Sequence, residues 1–114
     1  MFKDYDQKVS QNDLHALIRE GEHGEQDFKY RISDARKIAR TLSAFANTAG
    51  GRLLVGVRDN GSIAGVKDED DIYMLESASE VFLKPALKLE VWAHEIDGKT
   101  VWEIEISEGK EKPY

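Results

Sequence analysis

The stretch from residue 44 to residue 61, AFANTAGGRLLVGVRDNG, constrains the fold more than any other part of the chain. It predicts the end of an apolar helix, a turn at Gly50 and Gly51, a strand over residues 53–57 and a tight turn at residues 59–61. The predicted strand is almost wholly apolar, which is typical of a central strand covered on both faces. A helix end, a flexible turn and a strand-end acid therefore lie in one compact unit, where binding sites are common.

The periodicity of the remaining apolar residues predicts the other helices and strands. Helical spacing predicts a first helix that ends at Glu20 and two longer helices over residues 34–48 and 70–82. Ser33 is the predicted N-cap of the second helix. Alternating or continuous apolar residues predict strands over residues 25–32, 53–57, 62–66, 89–96 and 100–107, with Phe28, Tyr30 and Ile32 on one face of the first. This order predicts an α+β domain, a mixed β-sheet flanked by about three helices.

The composition restricts the possible functions. The 114 residues include no cysteine, which excludes disulfides, thiolate nucleophiles and cysteine-bound metal centres. No apolar run has the length of a signal peptide or a membrane span, so we expect a cytoplasmic chain with no membrane partner. The phosphate-loop pattern G-x-x-x-x-G-K-[ST] is also missing, because Val57 and Arg58 stand where lysine and serine or threonine would be. We therefore expect no standard ATP site.

The net charge of −6 weighs against simple attraction to nucleic acid, but the basic residues are concentrated in one region. Arg36 and Arg40 are four residues apart and must share an outward helix face. The double-glycine turn would also allow a phosphate to approach the backbone closely. A solvated helix face is the alternative interpretation. The candidate phosphate contacts are Lys29, Arg31, Arg36, Lys37, Arg40 and Arg52, and the candidate turn residues are Asn47, Thr48, Gly50 and Gly51.

Two motifs of the chain resemble the signatures of one family. Gly21 and Glu22, followed by Asp27 and the dipeptide FK, resemble the GE-x-x-x-x-EFK opening of the Schlafen AlbA-type domain. The segments AFANTAGG and GVRDNGSIAG are similar to that family's AFANT-x-GG and GV-x-D-x-G-x-I-x-G signatures. The resemblance implies that residues 1–114 form one AlbA-like domain, cut at its C-terminal end from a longer protein. It also implies binding of DNA or RNA, as in a transcriptional regulator.

The same resemblance implies a second role for three acids. In eukaryotic Schlafens, matching acids are regarded as a metal-dependent nuclease site, which carries catalytic and metal-binding roles to Glu22, Asp27 and Asp59. Magnesium or manganese would be the cofactor, since hard divalent cations take oxygen ligands and activate water. Asp27 stands in place of the more usual glutamate and reaches one methylene less. Many bacterial relatives are regarded only as binding or regulatory modules, so whether the chain is an enzyme stays open.

Three functions are thus compatible with the sequence. The favoured one is a nucleic-acid-binding module, and a nuclease acting on RNA is the alternative. The third is a protein-interaction domain, which fits the acidic net charge and the hairpin predicted for the last two strands. A homodimer would cover the exposed edge of that hairpin.

Overall fold

The computed structural model describes residues 13–66, 70–81, 89–110 and 113, and over them it forms one four-stranded mixed sheet with three helices. The elements are α1 (Leu14–Glu20), β1 (Gln26–Lys29), α2 (Ala35–Asn47), β2 (Gly51–Val55), α3 (Asp70–Val81), β3 (Leu89–Ile96) and β4 (Lys99–Ile106). The strand order is β1-β2-β4-β3, in which β1 and β2 are parallel and the other two pairs are antiparallel. The predicted α+β class, with a mixed sheet and helices against it, is confirmed.

Strand β2 lies inside the sheet and is covered on both faces, as its apolar sequence predicts. Leu53 and Val55 pack into the cluster under α2 and α3, whereas Leu54 packs with α1 on the opposite face. All three side chains are fully buried. Burying one such side chain contributes about 1.5–3 kcal/mol, so β2 anchors both apolar clusters.

Helix α2 begins one residue later than Ser33 predicts. The Asp34 carboxylate accepts hydrogen bonds from the N–H groups of Arg36 at 2.9 Å and Lys37 at 3.3 Å. The backbone of Asp34 is extended, as an N-cap requires, so Asp34 and not Ser33 is the cap.

The double-glycine turn joins α2 to β2 where neighbouring atoms leave no room for a side chain. Gly50 has a φ of +84°, and a Cβ there would lie 2.6 Å from the carbonyl oxygen of Ile106. A Cβ on Gly51 would overlap the Phe45 ring. The predicted left-handed glycine at the helix end is confirmed at Gly50.

The predicted first strand is wrong in its second half. It ends at Lys29 and does not continue to residue 32. Phe28 belongs to the apolar cluster under α1, whereas Ile32 belongs to the cluster under α2 and α3. The chain bends at Tyr30, which is exposed, so Phe28, Tyr30 and Ile32 do not share a face.

Two other predicted boundaries also differ. Strand β2 runs from residue 51 to residue 55, and Gly56, with a φ of +101°, follows its end. The strand predicted over residues 62–66 is reduced to a single bridge between Val57 and Ile63. Helix α3 agrees with its predicted span up to Val81, and residue 82 lies outside the described residues.

Candidate nucleic-acid interface

The carboxyl ends of β1 and β2 bring several candidate residues to one edge of the sheet. The two strands are parallel, so the chain leaves both at the same edge. Beyond β1 it continues through Tyr30 and Arg31 to the start of α2, and beyond β2 it continues through Arg58 and Asp59. Ligands of open sheets commonly bind outside the carboxyl ends of parallel strands.

A basic depression of about 120 Å³ lies between the end of β1 and the first turn of α2. Three of the side chains that line it are cationic, those of Lys29, Arg31 and Lys37, and the last two are exposed. Asp34 is the one acid in the lining, and its carboxylate already accepts hydrogen bonds at the start of α2. The lining consists of Lys29, Arg31, Ile32, Ser33, Asp34, Lys37 and Ile38. Because Lys29 pairs with Asp27, Arg31 and Lys37 supply the excess of positive charge that makes this depression suited to a phosphate group.

The three other predicted phosphate contacts lie outside the lining of this depression. Arg36 and Arg40 are exposed on α2, which agrees with their predicted outward face. Arg52 has a different environment, because its Nε donates to Oε2 of Glu105 at 2.9 Å and its Nη1 donates to Oε1 of Gln26 at 2.9 Å. The structure therefore separates Arg52 from the basic depression and places it among hydrogen-bond acceptors.

The Asn47–Gly51 turn lines a second depression, of about 360 Å³, through Gly50 and Gly51. The side chains around it include three carboxylates and one arginine, which makes it unfavourable for a phosphate. Thr48 donates its hydroxyl to the carbonyl oxygen of Ala44 at 2.8 Å, so it closes the end of α2. The lining consists of Glu20, His23, Glu25, Ala49, Gly50, Gly51, Arg52, Glu105 and Ile106.

The acids predicted as a carboxylate cluster lie near one another. Glu22 Oε2 accepts a hydrogen bond from the Phe28 N–H at 3.1 Å, at the outer edge of β1. A hydrogen bond to the Asp27 carboxyl raises the pKa of Glu22, the Phe28 N–H opposes this, and desolvation and the charges of Asp27 and Asp59 add to the rise in pKa. Glu22 is thus close to Asp27, and Asp59 is near enough for its charge to act on Glu22.

A metal site is not completed by these acids in the structure. Within the part of the chain that the structure describes, no three carboxylate or imidazole groups converge to hold a metal ion. Lys29 Nζ lies 3.1 Å from Asp27 Oδ2, so an ammonium group neutralises the carboxylate that a cation would otherwise contact. The donor set therefore does not fit a three-ligand metal centre in this conformation.

Tyr30 and Arg58 form a contact that sequence reasoning missed. The Arg58 guanidinium carbon lies 5.0 Å from the centroid of the Tyr30 ring, a cation–π geometry. The strand predicted over residues 25–32 would place the Tyr30 ring on a half-buried face. The signal that could have found it is an aromatic residue directly between two basic ones, KYR at residues 29–31.

A buried polar network on the α1 face of the sheet was also missed. Glu103 is only 1% exposed, and its Oε1 lies 2.8 Å from Nε2 of His94 while its Oε2 lies 3.6 Å from Nε of Arg52. Burial, followed by a hydrogen bond to Glu103, raises the pKa of the neighbouring Glu105 to about 7, although Arg52 opposes the shift. Arg52 thus supplies a positive charge to this network.

The fold and the site together define a small α+β domain with a basic surface at the ends of its parallel strands. The sequence profile of Schlafen AlbA_2 matches residues 22–114, so the chain belongs to that family. No curated protein matches the chain. Among the described residues, none of the helices has the length and apolar character needed to cross a bilayer.

The fold is shared with solved structures, two of which show the likeness. One is the N-terminal domain of an ATP-dependent DNA helicase RecG-related protein from Nitrosomonas europaea, with 26% identity and a TM-score of 0.63 over 90% of this chain and 82% of that one. The other is the DIP2311 protein from Corynebacterium diphtheriae, with 23% identity and a TM-score of 0.61 over 88% of this chain. This chain spans 22% of the length of the Corynebacterium protein.

Proposed function

We propose that this domain binds nucleic acid through the basic depression and the exposed face of α2. The observation that carries the proposal is the convergence of the exposed Arg31 and Lys37 on one depression in a chain whose net charge is −6. The Schlafen AlbA-type family and the helicase-related name of the Nitrosomonas protein support the same function.

In this proposal the basic side chains hold the phosphate backbone. Arg31 and Lys37 contact phosphates at the depression, and Arg36 and Arg40 extend the contact along α2. Such contacts supply affinity without sequence choice, because every nucleotide carries the same phosphate. Arg52 is not part of this surface, since its guanidinium is held by Glu105 and Gln26. A role as a transcriptional regulator would add sequence choice at other positions.

Binding of labelled DNA and RNA oligonucleotides at several salt concentrations tests this proposal. Each phosphate contact contributes about 0.7 to 0.9 to the slope of log K against log salt. We therefore expect Lys37→Gln to weaken binding and lower the slope by about that amount. Charge reversal at both Arg36 and Arg40 should abolish binding. Unchanged affinity in these variants would contradict the proposal.

Lys110→Gln is the matched control for Lys37→Gln, because it removes the same charge from another exposed lysine. Lys110 follows Gly109, whose N–H donates to the carbonyl oxygen of Ala46 near the end of α2. Residues 37 and 46 are separated by about 14 Å along the helix axis at 1.5 Å per residue. Equal effects of the two substitutions would show that only net charge matters, and would contradict a defined surface.

A metal-dependent nuclease is the second candidate, and the proximity of Glu22 and Asp27 favours it. Asp59 adds a third negative charge nearby, but Lys29 pairs with Asp27, so a divalent cation would have to displace this ion pair to bind there. The double variant Glu22→Gln/Asp27→Asn separates the candidates when assayed with manganese, with magnesium and with chelator. Cleavage that needs metal and both acids would establish the nuclease.

The same double variant, assayed in chelator, tests binding without cleavage. If the domain only binds, removing two negative charges beside the basic depression should strengthen binding. If neither cleavage nor binding occurs with any oligonucleotide, both candidates fail and a protein-interaction domain remains. The homodimer suggested by the exposed hairpin stays a prediction, to be tested by the mass of the protein in solution.

A further inference from the structure

Tyr30 places an aromatic ring on the surface next to the basic depression. The residue is 38% exposed and lies between Lys29 and Arg31, both of which line the depression. Among the described residues, Tyr73 on α3 is the other large apolar side chain with comparable exposure. Tyr30 is next in the chain to Arg31, an exposed cation of the depression, while Lys29 on its other side pairs with Asp27.

The Arg58 guanidinium lies near this ring. Its guanidinium carbon is 5.0 Å from the ring centroid, and Nη1 is 3.4 Å from the Ser62 hydroxyl. The Arg58 N–H donates to the carbonyl oxygen of Ser62 at 2.9 Å, which fixes the backbone from which the side chain extends. A planar guanidinium stacks on aromatic faces, and a lysine ammonium cannot do so in the same way.

We propose that Tyr30 and Arg58 form a stacking platform for an unpaired base, which makes the domain selective for single-stranded nucleic acid. This inference rests on the proposed nucleic-acid binding and goes beyond it, because the basic depression alone would hold single strands and duplexes alike. In a duplex both faces of each base are covered by its neighbours, whereas a single strand exposes base faces to an aromatic side chain.

The charges around the platform fix where the sugar-phosphate backbone lies. Glu22 and Asp59 repel phosphates, whereas Arg31 and Lys37 attract them. The strand therefore follows the basic depression at the start of α2 while one base turns onto the ring. Stacking is tolerant of base identity, because every base has an aromatic face, so the platform selects strandedness rather than sequence.

Binding of a single strand and of a duplex of similar charge to Tyr30→Ala tests the platform. Base–aromatic stacking is worth enough that we expect single-strand affinity to fall roughly 5- to 100-fold. Tyr30→Phe keeps the ring and should bind within about twofold of the unsubstituted protein. Tyr73→Ala is the matched control, since it removes the other exposed tyrosine and should leave binding unchanged.

Salt dependence distinguishes stacking from a structural effect. Tyr30→Ala removes no charge, so the slope of log K against log salt should stay the same while the affinity falls. Arg58→Lys keeps the positive charge but removes the planar guanidinium. It should weaken single-strand binding without changing the slope of log K against log salt. The fluorescence of a 2-aminopurine base in a single strand should be quenched by the unsubstituted protein and by Tyr30→Phe, but not by Tyr30→Ala.

The outcomes separate this inference from the proposed function. Equal affinity for single strand and duplex, with no effect of Tyr30→Ala, would overturn the platform and leave nucleic-acid binding in place. The platform would also be overturned if Tyr30→Ala changed the slope of log K against log salt, or if it lowered the affinity for single strand and duplex equally. If the protein bound neither the single strand nor the duplex, both the platform and the proposed nucleic-acid binding would be overturned. DNA and RNA versions of the same single strand show which sugar the site prefers.

Discussion

Replacing Arg52 with methionine should destabilise the domain more than any other change of a basic residue discussed above. Arg52 donates to Glu105 at 2.9 Å and to Gln26 at 2.9 Å, and its Nε lies 3.6 Å from Glu103. Methionine fills much of the same volume but supplies neither the charge nor the donors. Glu103, which is 1% exposed, would then lie beside Glu105 without the Arg52 guanidinium. The contact between Glu103 and His94 would remain.

The expected loss follows from the burial of Glu103. Removing one partner of a buried ion pair typically costs 3–5 kcal/mol, because the other charge stays buried after losing its counter-charge, so we expect about 3 kcal/mol here. The lower end applies since His94 still contacts Glu103 and since the Arg52 side chain is 24% exposed. For a domain of this size the melting temperature should fall by about 12 °C.

Urea denaturation followed by circular dichroism measures this loss. Arg40→Met is the matched control, because it makes the same chemical change on the exposed face of α2 and should cost less than about 0.5 kcal/mol. In a Glu103→Gln/Glu105→Gln background the cost of Arg52→Met should shrink, because the buried charges are gone. A loss below about 1 kcal/mol in the otherwise unchanged protein would refute the role assigned to Arg52.

Two further predictions concern the turn and the pH dependence of stability. Gly50→Ala should lose about 2 kcal/mol or more in the same denaturation assay, because the left-handed backbone and the contact with the Ile106 carbonyl both oppose a Cβ. Gly24→Ala, with nothing within 4 Å of the added carbon, should cost much less. The raised pKa of Glu105 means that the folded state binds a proton more tightly than the unfolded state, so stability falls as pH rises from about 4.5 to about 7. Because the side chain is 37% exposed, solvent screening should limit this fall to about 1 kcal/mol. Glu105→Gln should remove it, and an equal fall in that variant would contradict the assignment.

The sequence predicts the middle of the domain best, where local pattern and tertiary packing agree. The apolar run at residues 53–55 is buried on both faces, and the glycines after α2 occupy positions that exclude a Cβ. The pattern fails at β1, because alternation of Phe28, Tyr30 and Ile32 looks the same in a straight strand as in one that bends at Tyr30. The bend turns Ile32 toward α2 and leaves Tyr30 exposed, which alternation alone does not encode.

The candidate site could also be predicted from the sequence only in part. The proximity of Glu22 and Asp27 follows from a short segment whose motif the family shares, so it could be predicted. The surroundings of Arg52 depend on Glu105, 53 residues later in the chain, and on the register of β2 against β4. Charge alone groups Arg52 with the basic residues at positions 29–40, whereas the sheet places its guanidinium beside Glu105.

Mapping the bound oligonucleotide by NMR tests the central claim most directly. Backbone amide resonances would be recorded while a single-stranded oligonucleotide is added to the isotopically labelled protein. The proposed interface predicts shifts concentrated at residues 29–37 and at Arg58, with little change at Gly51 and Arg52. Shifts centred on the double-glycine turn, or none at saturating oligonucleotide, would contradict binding at the basic depression.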